Sequence, residues 1–178
     1  FSQIASDAQV ARTTVQEYFQ ILEDTLIAHI IPAWKRSKKR KAISTPKFYF
    51  FDTGVVRHLS NQGRIKRRSP AFGPAFETYV FHELKSFLDY NRGGSLAYWR
   101  STSNFEVDFI LNDITAIEVK GRNTVGKREL KGILALREEG LLQNYVVVCL
   151  EERPRLIDGV QILPWETFLN RLWDGSFS

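Results

Sequence analysis

The stretch from Phe105 to Gly121, FEVDFILNDITAIEVKG, reads as two short β-type runs joined by Asn112, Asp113 and Ile114. Strict alternation puts Glu106, Asp108 and Ile110 on one face of the first run, and Phe105, Val107, Phe109 and Leu111 on the other. In the second run Ala116, Glu118 and Lys120 share a face, and Ile117 and Val119 point the opposite way. Pairing Leu111 with Thr115 aligns Phe109 with Ile117 and Val107 with Val119. The same register sets Asp108 opposite Glu118 and Glu106 opposite Lys120. A slip of one residue would set carboxylates against aliphatic side chains, so the apolar pattern selects this register.

Directly opposed side chains on adjacent strands have Cβ atoms about 5 Å apart, near enough for two carboxylates to share a hard cation. Asp108 and Glu118 are therefore expected to hold Mg²⁺ or Mn²⁺, which lowers the pKa of bound water and polarises a phosphoryl oxygen. Lys120 would orient the nucleophile or stabilise charge developing on the phosphate. The set resembles the active site of the PD-(D/E)XK nuclease superfamily, with Asp108, Glu118 and Lys120 matching its acid, acid and lysine. A solvated strand pair with a cross-strand ion pair uses the same residue types, and that reading stays open.

Glu77 adds to the acidic set. Pro74 to Tyr90 reads as a helix, with Phe76, Val80, Leu84 and Leu88 at four-residue steps. At about 100° per residue Glu77 falls between Leu84 and Leu88, inside the apolar arc. A carboxylate facing a core is costly unless paired or bound to a cation. A glutamate favoured by the helix dipole in the first turn is the competing account.

The chain of 178 residues is long enough for a sizeable core, and its 43% hydrophobic content, four Trp and 13 Phe argue for a folded protein. It holds no Met, which reads as a piece of a longer protein. No apolar run approaches the roughly 18 residues that span a bilayer, and no signal peptide is present, so no membrane partner and a cytoplasmic setting are expected. The single cysteine, Cys149, sits in the apolar run YVVVCL and reads as a buried thiol, giving no support to disulfides or zinc.

Charge is unevenly spread. Residues 1–70 hold 13 Lys and Arg against 5 Asp and Glu, and the remainder 12 against 15. Lys38, Lys39, Arg40 and Lys41, then Arg67 and Arg68, form clusters that attract a phosphate backbone or else line a solvated loop.

Near the N-terminus, Ile4, Ala5, Val10, Val15 and Tyr18 are spaced as in a helix-turn-helix, with Thr13 or Thr14 as the cap of its second helix. Arg12 and Gln16 lie near the exposed start of that helix and are the candidate base readers. Gln9 stands where such a turn usually has Gly. Residues 47–52, KFYFFD, read as a strand that would supply a wing. Ser60 to Pro74, rich in Gly, Pro and basic residues, is the natural boundary. The expected organisation is a winged-helix-like segment over 1–60, a basic linker over 61–73, and a second domain over 74–178. That domain reads as an α/β, restriction-endonuclease-like αβββαβ core, with a helix over Lys127–Glu139, a strand over Tyr145–Leu150, another over Val160–Leu163 and a terminal helix begun by Pro164.

Over nearly its full length the chain resembles the C-terminal region, of unknown function, that follows the ATP-hydrolysing core in a family of prokaryotic AAA+ ATPases. The resemblance rests on LEDTL at 22–26, KFYFFDTG at 47–54, GPAFE at 73–77, Trp99-Arg100, Glu106 to Asp108, and AIEVKG at 116–121. It implies a PD-(D/E)XK-type domain with Asp108, Glu118, Lys120 and Glu77 as its catalytic set, Mg²⁺ or Mn²⁺ as cofactor, DNA as the favoured partner and an ATPase core in the same polypeptide. No GxxxxGK[ST] motif occurs, so this part of the protein is not expected to hydrolyse ATP. The alternative function is a catalytically inactive module on the same fold, docking to DNA, protein or its own ATPase core.

Overall fold

The computed structural model describes residues 1–177 as a mixed α/β protein with six helices and two sheets. Two compact units are present: residues 1–30 with 48–63, and residues 31–47 with 64 onward. Residues 31–47, the basic segment of the sequence, are thus part of the second unit. Among the described residues no helix is long and apolar enough to cross a membrane.

The first unit begins with α1 (Ser2–Ala8) and α2 (Arg12–Asp24), joined at Gln9, which takes the left-handed conformation with φ 53°. A glycine would adopt that turn without steric cost, and Gln9 does so while its N–H closes onto the Ser6 carbonyl. The cap of α2 is Ala11, with no side-chain hydrogen bond, rather than Thr13 or Thr14. The helix starts two to three residues earlier than the hydroxyls suggested, so both threonines lie inside its first turn. Strand β1 (Ala28–Ile31) pairs with β2 (Lys47–Phe50), and α3 (Thr53–Leu59) follows, capped by Asp52, which accepts from the Val55 N–H. Phe1, Phe19 and Phe48 form an aromatic cluster with centroids 4.4–5.4 Å apart.

The second unit is built on a six-stranded sheet in the order β3-β4-β5-β6-β8-β7. Helix α4 (Phe72–Tyr90) precedes the meander β3 (Leu96–Arg100), β4 (Glu106–Leu111) and β5 (Thr115–Lys120). Helix α5 (Lys131–Arg137) links β5 to β6 (Asn144–Cys149), which pairs with β5 in parallel. Then come β7 (Arg155–Ile157), β8 (Val160–Pro164) and α6 (Trp165–Trp173). Helix α5 is shorter than its apolar periodicity implied, because the turns at Glu129 and Leu130 close onto Gly126 and Lys127 three residues back.

Val80 and Leu84 of α4 are fully buried, and Phe81 packs 6.4 Å from Phe109 of β4. Another apolar cluster joins Trp99, Val107, Ile110 and Ala116 to Leu130, Ile133 and Leu136 around α5. Helix α5 approaches β4 so closely that a Cβ on Gly132 would lie 2.1 Å from the Glu106 carbonyl oxygen. Cys149 is buried with no disulfide partner, as its apolar run implied.

Two features of the meander set up the site. The turn end follows the expected register, with Leu111 opposite Thr115 and Phe109 opposite Ile117, across a turn in which Asn112 and Asp113 both have positive φ. On its other side β4 is irregular. Ala97 pairs with Ile110 but Trp99 pairs with Val107, so Asp108 and Phe109 together oppose Tyr98. This is a β-bulge, and it breaks the alternation read from the sequence: Val107 and Ile110, expected on opposite faces, enter one cluster.

Residues 31–47 run beside β3. Ala33 bridges Tyr98, Ala42 bridges Ser101, and the Tyr98 hydroxyl donates to the Thr45 carbonyl. Trp34 is buried and its indole N–H donates to Asp113 at 2.7 Å.

Candidate functional site

Beyond the Phe109–Ile117 pair the β4–β5 ladder stops, while β5 continues to pair with β6 through Lys120. Into this opening goes the carboxylate of Asp108, whose Oδ2 accepts the Val119 N–H at 2.8 Å. A side chain thus takes a donor that a continuing ladder would have used. Asp108 and Glu118 are buried, with side chains 10% and 8% exposed. The Lys120 ammonium lies 2.5 Å from Glu118 Oε1. The other oxygen, Glu118 Oε2, is buried and has no hydrogen-bond partner among the described residues.

An additional lysine completes the cluster. Lys47 Nζ lies 2.6 Å from Glu106 Oε1, 3.3 Å from Glu77 Oε1 and 3.5 Å from Asp108 Oδ1, and sits over the Tyr98 ring. Glu106 therefore pairs with Lys47, and with Arg100 at 3.6 Å, rather than with Lys120. The bulge is the physical reason, since it ends the register that would have set Glu106 against Lys120. Lys47 opens an aromatic strand 61 residues before Asp108. A lone cation at the head of the run KFYFF was the only sequence signal for it.

The electrostatics follow from burial and crowding. Desolvation, then the Glu77 charge, holds the Asp108 carboxyl above the ordinary carboxylate range, against Lys47, the Val119 N–H and Lys120. Desolvation, then the Asp108 charge, pushes Glu118 up as well, against Lys120 and Lys47. Burial opposes the charge on Lys47, but Asp108, Glu77 and Glu106 outweigh it and hold the ammonium above the usual lysine range. Lys120 is raised too: burial opposes its charge, and Glu118 outweighs it. Two buried carboxylates that resist ionisation are a place where a multivalent cation is favoured.

The donor set suits a small hard cation. Among the described residues no three His, Cys, Asp or Glu side chains gather as a closed metal cage. Mg²⁺ does not need one, since it is commonly held by one or two carboxylates with water or phosphate completing its shell. Asp108 and Glu118 would supply those carboxylates, and the unpartnered Glu118 Oε2 is an acceptor left without a donor.

A cleft of about 880 Å³ opens beside Lys120 and Glu77. Its walls include Arg67, Arg68, Phe72 and Arg122, so cations prevail over the one carboxylate. Arg67 and Arg68, expected in the basic linker, thus stand at the mouth of the acidic site. Arg40 is used differently: it is half-buried, bonds Glu138 at 2.5 Å and the Ala135 carbonyl at 2.8 Å, and covers the Phe105 ring. The backbone N–H groups of Lys38 and Lys39 donate to Glu139, and the side chains of Lys38, Lys39 and Lys41 remain exposed. Arg12 and Gln16 are exposed on α2 of the first unit.

Residues 72–168 match a domain of unknown function, DUF4143, and residues 1–66 match a second, DUF8612. Uncharacterised proteins of Mycobacterium tuberculosis and Mycobacterium bovis are each 29% identical over 123 residues, which make up 68% of this chain and 26% of each relative. The chain therefore spans about a quarter of the length of the curated relatives it matches. No solved structure matches.

Proposed function

This chain belongs to the DUF4143 domain family, found in proteins associated with AAA ATPases, and we propose that its second unit is a magnesium-dependent, nuclease-like domain that cleaves phosphodiesters in DNA. In this reading the helix, three strands, helix and strand of α4 to β6 form a restriction-endonuclease-like core. The first unit is a winged-helix-like segment that contacts DNA through Arg12 and Gln16, and an ATPase core lies elsewhere in the same cytoplasmic polypeptide.

The observation that carries the reading is the meeting of Asp108, Glu118 and Lys120 where the strands part, at the edge of a basic cleft. Asp108 and Glu118 hold the cation, which when bound supplies a water of lowered pKa and a polarised phosphoryl oxygen. Glu118 Oε1 aims the Lys120 ammonium, and Lys120 neutralises charge developing on the phosphate. Arg67, Arg68 and Arg122 attract the phosphate backbone to the cleft. Glu77 adds negative charge near Asp108 and raises the demand for a cation there.

The test is cleavage of single-stranded, duplex and branched DNA and of RNA with Mg²⁺ or Mn²⁺, with and without the ATPase core. Cleavage lost in Lys120→Ala, and metal binding lost in Glu118→Gln, are the expected results. Cleavage retained by Lys120→Ala would sink the site assignment. A second reading, a silent docking module, is favoured by Lys47, an ammonium already seated among the carboxylates. It prevails if the intact protein cuts none of these substrates.

A further inference from the structure

Lys47 reaches the acidic cluster from residues 31–47, outside the strands that carry the acid–acid–lysine set. Its ammonium contacts three carboxylates at 2.6–3.5 Å, while its side chain is 24% exposed. Those contacts are unequal. Glu106 holds it closely, and Asp108 is the most distant partner. Of the two Asp108 oxygens, Oδ2 already accepts the Val119 N–H, which leaves Oδ1 as the oxygen best placed for a cation. That is the atom facing Lys47.

A divalent ion held by Asp108 and Glu118 would meet the Lys47 charge at Asp108, and like charges that close repel strongly. Lys47 can give way without losing its pairing, because Glu106 Oε1 at 2.6 Å is its nearest partner and Asp108 Oδ1 at 3.5 Å its most distant. Tyr98 offers its ring beneath the ammonium and fixes the direction of the side chain. Resting on the metal-dependent reading above, we propose that Lys47 is a tethered cation that guards the divalent-ion site: it neutralises Asp108 when the ion is absent and yields Asp108, retreating onto Glu106, when the ion binds. Lys47 is then a positioning residue that lowers the site's metal affinity and keeps its carboxylates apart from adventitious cations.

The experiment is a Mn²⁺ titration of the full chain, read by electron paramagnetic resonance and calorimetry, with thermal melting in chelator and in Mn²⁺. Lys47→Met, which keeps length and removes charge, should bind Mn²⁺ on the order of tenfold more tightly, the size expected for deleting one nearby like charge. It should also show a larger metal-induced rise in Tm than wild type. Lys47→Arg should behave as wild type. Glu106→Gln, which takes away the retreat, should weaken Mn²⁺ binding and serves if Lys47→Met does not fold. Unchanged or weaker binding by folded Lys47→Met, or unchanged binding by Glu106→Gln, would overturn the proposal, as would Mn²⁺ binding that survives Glu118→Gln. If Mn²⁺ binds as described but no nucleic acid is cut, the guard stands and the nuclease reading fails.

Discussion

The two ends of the β4–β5 hairpin are built on opposite principles. At the turn end, Phe109, Ile110 and Leu111 face Ile117, Ala116 and Thr115 in an unbroken, dry ladder. At the other end the strands part, a carboxylate takes a backbone donor, and four acidic side chains crowd around two lysines. The first arrangement is stable because apolar area leaves water where the two strands pair. The second holds buried charge that resists ionisation. One hairpin therefore carries both a stability anchor and a site with unmet demand for a cation, and the anchor holds the open end in place.

Substitutions at the two ends should separate these roles. The largest effect is expected at the dry end: Phe109→Ala should cost about 3–5 kcal/mol of unfolding free energy, since it empties a fully buried ring site against Phe81. Denaturant melting measures it, and a cost below about 1 kcal/mol would mean the ladder is not the anchor. Next, if the proposed chemistry holds, Lys120→Ala at the open end should lower phosphodiester cleavage by about 10²–10³, the size seen for losing one charge-stabilising donor. Its metal-free stability should fall too, because Glu118 then loses the ammonium at 2.5 Å from its Oε1.

A smaller effect, of opposite sign, is expected from Glu118→Gln. In the folded state Asp108 and Glu118 keep their protons above the ordinary carboxylate range, whereas the unfolded chain releases them near pH 4. The folded protein therefore binds more protons from about pH 4 upward, and its stability falls as pH rises toward and past neutrality. The raised lysines add nothing in that window, being protonated in both states. Glu118→Gln should flatten the decline and, near pH 8 in chelator, raise Tm by a few degrees, as about 1 kcal/mol does in a chain of this size. A melt whose pH slope matches wild type would show that Glu118 is not the group responsible. The smallest effect is expected in the cleft: replacing Arg67 and Arg68 with Ala should reduce the log–log salt slope of DNA binding by about 0.9 for each phosphate left unneutralised. An unchanged slope would remove the cleft walls from the nucleic-acid path.

The same division explains what the sequence could reveal. The dry end was legible because period-two hydrophobicity and the Asn112-Asp113 turn report local preferences, and local preferences prevail there. The helix over 74–90 was legible for the same reason, its four-residue apolar steps matching the buried face of α4. The open end was legible in its residues, since Asp108, Glu118, Lys120 and Glu77 do gather, but not in its backbone. No Gly or Pro marks the bulge at Asp108 and Phe109. It accommodates Tyr98 opposite and α5 beside it, where Gly132 meets the Glu106 carbonyl. Lys47 was missed because its partners lie 30 to 61 residues away and no periodicity spans that distance. Arg40 read as a free basic residue because charge counting does not see Glu138 and Glu139, nearly a hundred residues on.

The interleaving of the chain has a practical consequence for dissection. Because residues 31–47 belong with residues 64 onward, no single cut separates the two units. A fragment starting at Arg64 would encode all six strands of the large sheet yet omit Trp34, Arg40 and Lys47. It would leave β3 a bare edge able to recruit foreign strands. Such a fragment would be prone to self-association, and any activity or silence recorded for it would describe a site stripped of its own countercharge.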